Sequence, residues 1–325
     1  MHKAHLLASR SVLVTGGSGA FGSAFVRRAL DEGASRVCVF SRSESRQAAM
    51  AAELNDPRLR FFIGDVRDAQ RVSEACRGVE FVVHAAALKR VESCEADPNE
   101  AIATNVTGTQ NVARACIERG VNRAVFLSTD KAAAPNTLYG ATKLTAERLW
   151  VRSNVYAAGT PTRFAATRYG NVLGSTGSVV PLWKAQAAKG QPITVTEASM
   201  SRFWMRLDEA VDLVCLALRT MRGGEVYVPK IGSSTIETLA DAVVPGATVT
   251  GVGLRPGEKM HEMLVSDEES RHTYDAGSYY VIAPESPTWG DAGPLPYPLV
   301  PRGFCYRSDT NPAQLDADQI GRMIA

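Results

Sequence analysis

Short apolar runs alternate with segments of helical period through the first half of the chain. Ser11–Thr15, Arg36–Phe40, Leu59–Ile63, Phe81–His84, Arg123–Leu127 and Thr162–Thr167 read as buried strands, each built around an unbroken run of three or four apolar residues. Between them Ala24–Leu30, Glu44–Leu54 and Pro98–Arg119 carry apolar residues at helical spacing. Strand alternating with helix is the βαβ pattern, so the expected class is α/β with a doubly wound parallel sheet. After Thr167 the texture changes, with Gly174–Ser178, a Pro-led apolar helix up to Lys189, and Phe203–Leu207 ahead of Asp208-Glu209 as a helix start. We therefore expect residues 1–170 to form the sheet domain and 171–325 a smaller region, with about 208–245 returning to the sheet and Pro284–Pro301 forming a loop.

The first strand runs into Gly16-Gly-Ser-Gly19-Ala-Phe-Gly22, a Gly-x-x-Gly-x-x-Gly spacing that opens a helix. Glycine suits a tight turn, close backbone approach to a pyrophosphate and close helix-strand packing, which makes Gly16, Ser18, Gly19, Ala20, Phe21 and Gly22 candidate dinucleotide contacts on a Rossmann half. The second strand ends at Ser41-Arg42, where an NAD site places an acidic residue. A guanidinium there fits a 2′-phosphate, so NADP is the expected cofactor, with NAD and a solvated arginine as the alternative. Asp65 and Val66 follow the third strand, facing an adenine, with helix capping by Asp65 or Asp68 as the alternative. Ala85, Ala86 and Ala87 follow the fourth strand, and their small side chains let the backbone lie along a cofactor. His84, beside them, reads as a packing residue.

The fifth strand delivers Ser128-Thr129-Asp130-Lys131, and a helical segment then carries Tyr139 and Lys143. Residues four apart share a helix face, where an ammonium favours a phenolate. Thr129, Asp130 and Lys131 put a hydroxyl, an acid and an amine at a strand's carboxyl end, the place where open α/β sheets keep their sites. A surface turn in which Asp130 and Lys131 merely pair is the alternative.

Composition narrows the rest. With 36 basic and 34 acidic side chains the net charge is +2, which gives no argument for nucleic acid or a charged membrane. The six cysteines lie far apart without metal-ligand spacing, so no metal site is expected and free thiols in a reducing compartment are. No apolar stretch reaches a membrane span and the amino terminus does not read as a signal peptide, so a cytoplasmic protein is expected.

These motifs resemble the extended short-chain dehydrogenase/reductase family, and within it the inverting UDP-N-acetylglucosamine 4,6-dehydratases. The resemblance rests on Gly16/Gly19/Gly22, Phe61–Asp68, His84–Lys89, Ser128–Lys131, Leu138–Lys143, Arg168–Val172, Arg202–Trp204 and Arg255–Glu262. It implies that Tyr139 takes the proton of the sugar 4-hydroxyl during oxidation by the nicotinamide, with Lys143 keeping the phenol acidic and holding the ribose. Thr129 would bind O4. Lys131 would remove the C5 proton, Asp130 would protonate the leaving 6-hydroxyl, and hydride would return to C6.

Such a base needs a lowered lysine pKa and such an acid a raised one. By motif, Lys89, Asn171, Arg202, Arg255 and Glu258 are the expected substrate contacts, and Arg168 is a structural ion-pairing residue. Arg90 with Val91–Cys94, and Met205-Arg206, depart from the pattern. A UDP-sugar 4-epimerase or a retaining dehydratase is the alternative, and relatives are oligomers, often hexamers.

Overall fold

The computed structural model describes residues 5–174, 179–285 and 295–324. Strands β1 (Ser11–Thr15), β2 (Arg36–Ser41), β3 (Leu59–Ile63), β4 (Phe81–His84), β5 (Arg123–Leu127) and β6 (Arg163–Thr167) form a parallel sheet in the order β3-β2-β1-β4-β5-β6. Beyond β6 the sheet continues with Val226–Pro229, parallel to it, then with Tyr279–Ile282, antiparallel to Val226–Pro229, and last with Thr273–Asp275, antiparallel to Tyr279–Ile282. The strand order reverses between β1 and β4, which opens a crevice at their carboxyl ends.

Both faces of the sheet are covered, and this explains the unbroken apolar runs. Along β1, Leu13 joins one layer with Phe40, Val82 and Phe126, while Val12 and Val14 join the other with Val37, Val39 and Val125. Alternate side chains of each strand thus serve opposite layers.

The expected single helix over Pro98–Arg119 is interrupted. Asp97 caps Pro98–Ile102, a π-helical turn follows at Ala103–Thr107, and Gly108–Glu118 completes the crossing. Asn105 lies in that turn, fully buried. Its amide nitrogen donates to Leu88 O at 3.1 Å and to Thr142 Oγ1 at 3.1 Å, and its oxygen accepts from Leu88 N at 2.8 Å. An inserted residue in a helix re-aims a side chain, and here it ties the segment after β4 to the helix Leu138–Tyr156.

Beyond Thr167 a separate apolar cluster of Leu173, Trp183, Ile193, Val195, Trp204 and Leu239 forms among the helices Val179–Ala188 and Ile236–Val243. The strand Ser201–Met205 pairs with Asn171–Val172 and Ser233–Thr235. Residues 175–178 and 286–294, parts of the expected Gly174–Ser178 turn and Pro284–Pro301 loop, lie outside the described residues.

Candidate functional site

The glycine turn is built for close approach. Gly16 has φ +67°, and a Cβ there would stand 2.9 Å from Ala86 N. Gly22 packs its bare Cα side on the backbone of Gly16 and Gly17. The helix Ala20–Asp31 then starts at Gly19 with no side-chain cap, so its first amides face the crevice beside Ala20 and Phe21 without a side-chain acceptor. A dinucleotide pyrophosphate fits this cradle. Ser18 Oγ donates to Ser41 Oγ at 2.8 Å, and Ser41 is held in turn by Gln47, whose amide also donates to Phe62 O. Gln47 has no sequence signal beyond its place on the helix.

At the end of β2, Arg42 is more than half exposed and lies 3.8 Å from Asp65. Burial opposes ionisation of Asp65, but Arg67 at 2.6 Å outweighs it and holds the carboxyl below its usual range. Capping goes to Asp68, which accepts from Arg71 N, while Asp65 accepts from Arg67 N. Val66 is buried against Gly108, and the main chain of Ala85 and Ala86 bonds to Thr15. Ala87 follows them in the same unpaired segment. His84 is fully buried between Thr15 and Thr109, and burial, with Lys143 nearby, drops its pKa to about 3. It is a neutral packing group.

Thr129, Asp130 and Lys131 occupy the start of a short 3-10 turn at the carboxyl end of β5. Thr129 Oγ1 donates to Asp130 Oδ1 at 2.8 Å, and Lys131 Nζ donates to the same oxygen at 3.1 Å. Burial raises the Asp130 carboxyl, with Glu262 adding to the rise, and its Oδ2 is buried without a partner.

Lys131 departs from expectation. Burial favours its neutral amine, but Asp130 and Glu262 outweigh burial and hold the pKa above the usual lysine value. It is therefore an ammonium in the free protein. Glu262, unassigned in the sequence although it ends the Arg255–Glu262 motif, stands 3.2 Å from Lys131 Nζ.

Tyr139 is buried on the first turn of the capped helix Leu138–Tyr156. Burial pushes its pKa up to about 12, while Lys131 and a hydrogen bond with Thr129 favour the phenolate. Lys143 points elsewhere: its Nζ donates to Leu127 O at 2.7 Å and sits 3.9 Å from the Phe126 ring centre. Burial lowers its pKa to about 7. The cation favouring the phenolate is thus Lys131, because Lys143 is drawn to the end of β5.

The substrate candidates divide. Arg202 is buried, donating to Ser201 O, Met260 O and Glu258 Oε1. Arg255 is exposed and pairs with Glu92 at 2.8 Å, while its main-chain N–H donates to Glu258 Oε2. Asn171 is half-buried on the strand beside Trp204, and Lys89 is exposed after the alanine segment. Lys259 Nζ donates to Ala133 O at 2.7 Å, so the Arg255–Glu262 segment reaches the Asp130–Ala132 turn.

Residues 12–284 match a family described as polysaccharide biosynthesis protein. The chain is 42% identical over 97% of both lengths to the UDP-N-acetylglucosamine 4,6-dehydratase (inverting) of Campylobacter jejuni subsp. jejuni serotype O:2. It is also 42% identical to the UDP-glucose 4-epimerase of Rickettsia rickettsii, over 85% of this chain and 84% of that one.

Among solved structures, Pen from Bacillus thuringiensis superposes with a TM-score of 0.89 at 36% identity, over 98% of this chain and 99% of that one. The dTDP-glucose 4,6-dehydratase DesIV of Streptomyces venezuelae, solved with NAD, superposes with a TM-score of 0.71 at 28% identity, over 77% and 86%. The chain thus belongs to the polysaccharide biosynthesis protein family, on the extended short-chain dehydrogenase/reductase fold, among nicotinamide-dependent sugar-nucleotide dehydratases and epimerases.

Proposed function

We propose that the protein is a C5-inverting UDP-N-acetylglucosamine 4,6-dehydratase that forms a UDP-2-acetamido-2,6-dideoxy-hexos-4-ulose. The observation that carries this reading is the contact of the half-buried Lys131 with the buried Asp130, to which Thr129 also donates, near enough to Tyr139 for both charges to act on its phenol. It sets an acid and a base beside an alcohol-oxidising phenol, which exchange of configuration at C4 does not need. The near-complete match to the Campylobacter dehydratase supports the same reading, against the shorter match to the Rickettsia epimerase.

The bound nicotinamide supplies a reversible oxidant for the C4 alcohol. Tyr139 as phenolate takes the O4 proton while Thr129 holds that oxygen. Passing one proton from Lys131 to Asp130, across 3.1 Å, makes an amine base and a carboxylic acid together. The amine removes the C5 proton, made acidic by the C4 ketone, and the acid protonates the departing 6-hydroxyl. The pair is then again ammonium and carboxylate. With the hydride that the nicotinamide would return to C6, C5 regains one proton, balanced by the one Tyr139 took from O4. Arrival of that proton on the face opposite Lys131 inverts the centre and leaves Tyr139 a phenolate again.

We assign Arg202 and Arg255 to the diphosphate, Glu258 to ribose hydroxyls, and Asn171 and Lys89 to the sugar side of the cleft. Arg255 would leave Glu92 to do so. Gly16, Ser18–Gly22, Ser41, Arg42, Asp65, Val66, Ala85–Ala87, Tyr139 and Lys143 hold the cofactor, read as NADP because Arg42 directly follows β2. Residues 1–170, with the strands Val226–Pro229, Thr273–Asp275 and Tyr279–Ile282 that return to their sheet, then form the cofactor half and the rest of 171–325 the substrate half, in a homo-oligomer whose mass light scattering measures.

Incubation with UDP-N-acetylglucosamine in deuterated water, followed by NMR, tests the reaction. A new C6 methyl group and deuterium at C5 are expected. An intact hydroxymethyl group with inverted C4 would replace this reading by epimerisation. Lys131→Ala is expected to abolish dehydration, and normal turnover by that variant would remove Lys131 as the base.

A further inference from the structure

Glu262 is a buried acid that the expected chemistry leaves unused. Its side chain is 3% exposed. Oε1 stands 3.2 Å from Lys131 Nζ and 3.9 Å from Arg202 Nε, and Oε2 stands 4.0 Å from Lys259 Nζ without a hydrogen bond. The main chain fixes the carboxylate's origin, since Glu262 N donates to Ser308 Oγ at 2.9 Å and Ser308 bonds to Ser201. Lys131 thus lies between two carboxylates of different kinds. Asp130 is its chain neighbour at the end of β5, whereas Glu262 arrives from the far end of the Arg255–Glu262 segment.

We infer that Glu262 is a positioning residue for elimination: its carboxylate fixes the Lys131 amine against Asp130 and balances the charge that Lys131, Arg202 and Lys259 bring to one buried point. The inference rests on the dehydratase reading for its consequence in turnover, but its geometry is independent of substrate. The charged and titratable groups around the pair are Asp130, Arg202, Glu258, Lys259 and Tyr139. A carboxylate beside an ammonium favours the ammonium, and a carboxylate beside an acid favours the protonated acid. Glu262 therefore acts in the same direction on both partners. Replacing it with the uncharged amide makes Lys131 lose its proton at lower pH and makes Asp130 ionise at lower pH.

The test compares wild type with Glu262→Gln and Glu262→Asp. The pH profile of dehydration kcat in Glu262→Gln is expected to move as a whole toward acid, both limbs by about one unit or more. A merely structural loss would lower the amplitude and raise KM with the limbs in place, and that result would overturn the inference. Glu262→Asp withdraws the charge by one methylene and is expected to shift the limbs part of the way. It also decides the matter if the amide variant does not fold.

A second readout needs no turnover. Trace acetic anhydride is added across a pH series, and acetylation of Lys131 is followed by peptide mass spectrometry. The midpoint of Lys131 labelling is expected to fall in both variants, further in Glu262→Gln. An unchanged midpoint overturns the inference. If wild type does not dehydrate the sugar nucleotide, the proposed function fails while the labelling result still decides the role of Glu262.

Discussion

Arg168 Nη2 donates to Glu147 Oε1 at 2.6 Å, and both side chains are almost wholly buried. Glu269 completes the group, accepting from the same guanidinium at 2.8 Å through both its oxygens. Burial alone would raise the Glu269 carboxyl, but Arg168 outweighs it and brings the pKa to about 2. Arg168→Met leaves two buried carboxylates without their cation, and a loss of about 3–5 kcal/mol in urea unfolding is expected.

The pH dependence of that stability has a definite sign. Glu269 titrates near 4.5 when unfolded and about 2 when folded. Its contribution, about 3 kcal/mol, is present above the unfolded value and lost as pH falls toward the folded one. Unfolding measured between those limits is expected to show a slope that Glu269→Gln reduces.

Lys143 gives a slope of the same sign in a higher window. Its folded pKa of about 7 lies below the 10.5 of an unfolded lysine, so the unfolded chain binds more protons between those values. Stability of the cofactor-free protein is expected to rise with pH across that window, by up to about 5 kcal/mol from this group. Lys143→Met is expected to remove that part of the slope, and denaturation of both proteins at pH values spanning the window measures the difference.

Arg42 is the residue on which dinucleotide choice turns in our reading. Arg42→Ala is expected to weaken NADP binding about tenfold to a hundredfold, the worth of a bidentate charged contact, with NAD binding little changed. Calorimetric titration with each dinucleotide checks this, and equal losses for both would remove Arg42 from the 2′-phosphate.

Asn105 satisfies both main-chain groups of Leu88. Asn105→Ala is expected to cost about 1–3 kcal/mol, because those groups and Thr142 lose a buried partner. It is also expected to lower kcat, since it loosens the segment after β4 that our reading assigns to the cofactor. Unfolding and single-turnover rates measured on the same preparation separate the two effects.

The sheet was legible because its strands are buried on both faces, so Val12–Val14 and Ala124–Leu127 are unbroken apolar runs. Periodicity cannot reveal a single inserted residue, so the π turn at Asn105 was hidden inside an otherwise regular helical pattern. The chemistry-bearing turn was legible in residue type but not in charge state. Lys131 looked like a lysine to be made neutral by burial, yet its neighbour Asp130 and a second carboxylate, Glu262, from a distant segment keep it charged. Lys143 shares a helix face with Tyr139 as its spacing says, but its long side chain turns to Leu127 O, and spacing alone fixes only the Cβ. Arg168 was readable as a structural ion-pairing residue, but its two acids, Glu147 and Glu269, come from separate elements that no spacing links to it.

The order in which the chain is made gives the Arg168 group a further meaning. A polypeptide leaves the ribosome amino end first, and domains fold as they emerge. Glu147 is already present when Arg168 appears, but Glu269 follows only 101 residues later. Lys131 likewise waits for Glu262. A nascent chain can complete its glycine cradle and six parallel strands while both buried cations are half-neutralised. The last third of the chain closes these charge groups, so a truncated product would have a dinucleotide cradle without a finished reaction centre.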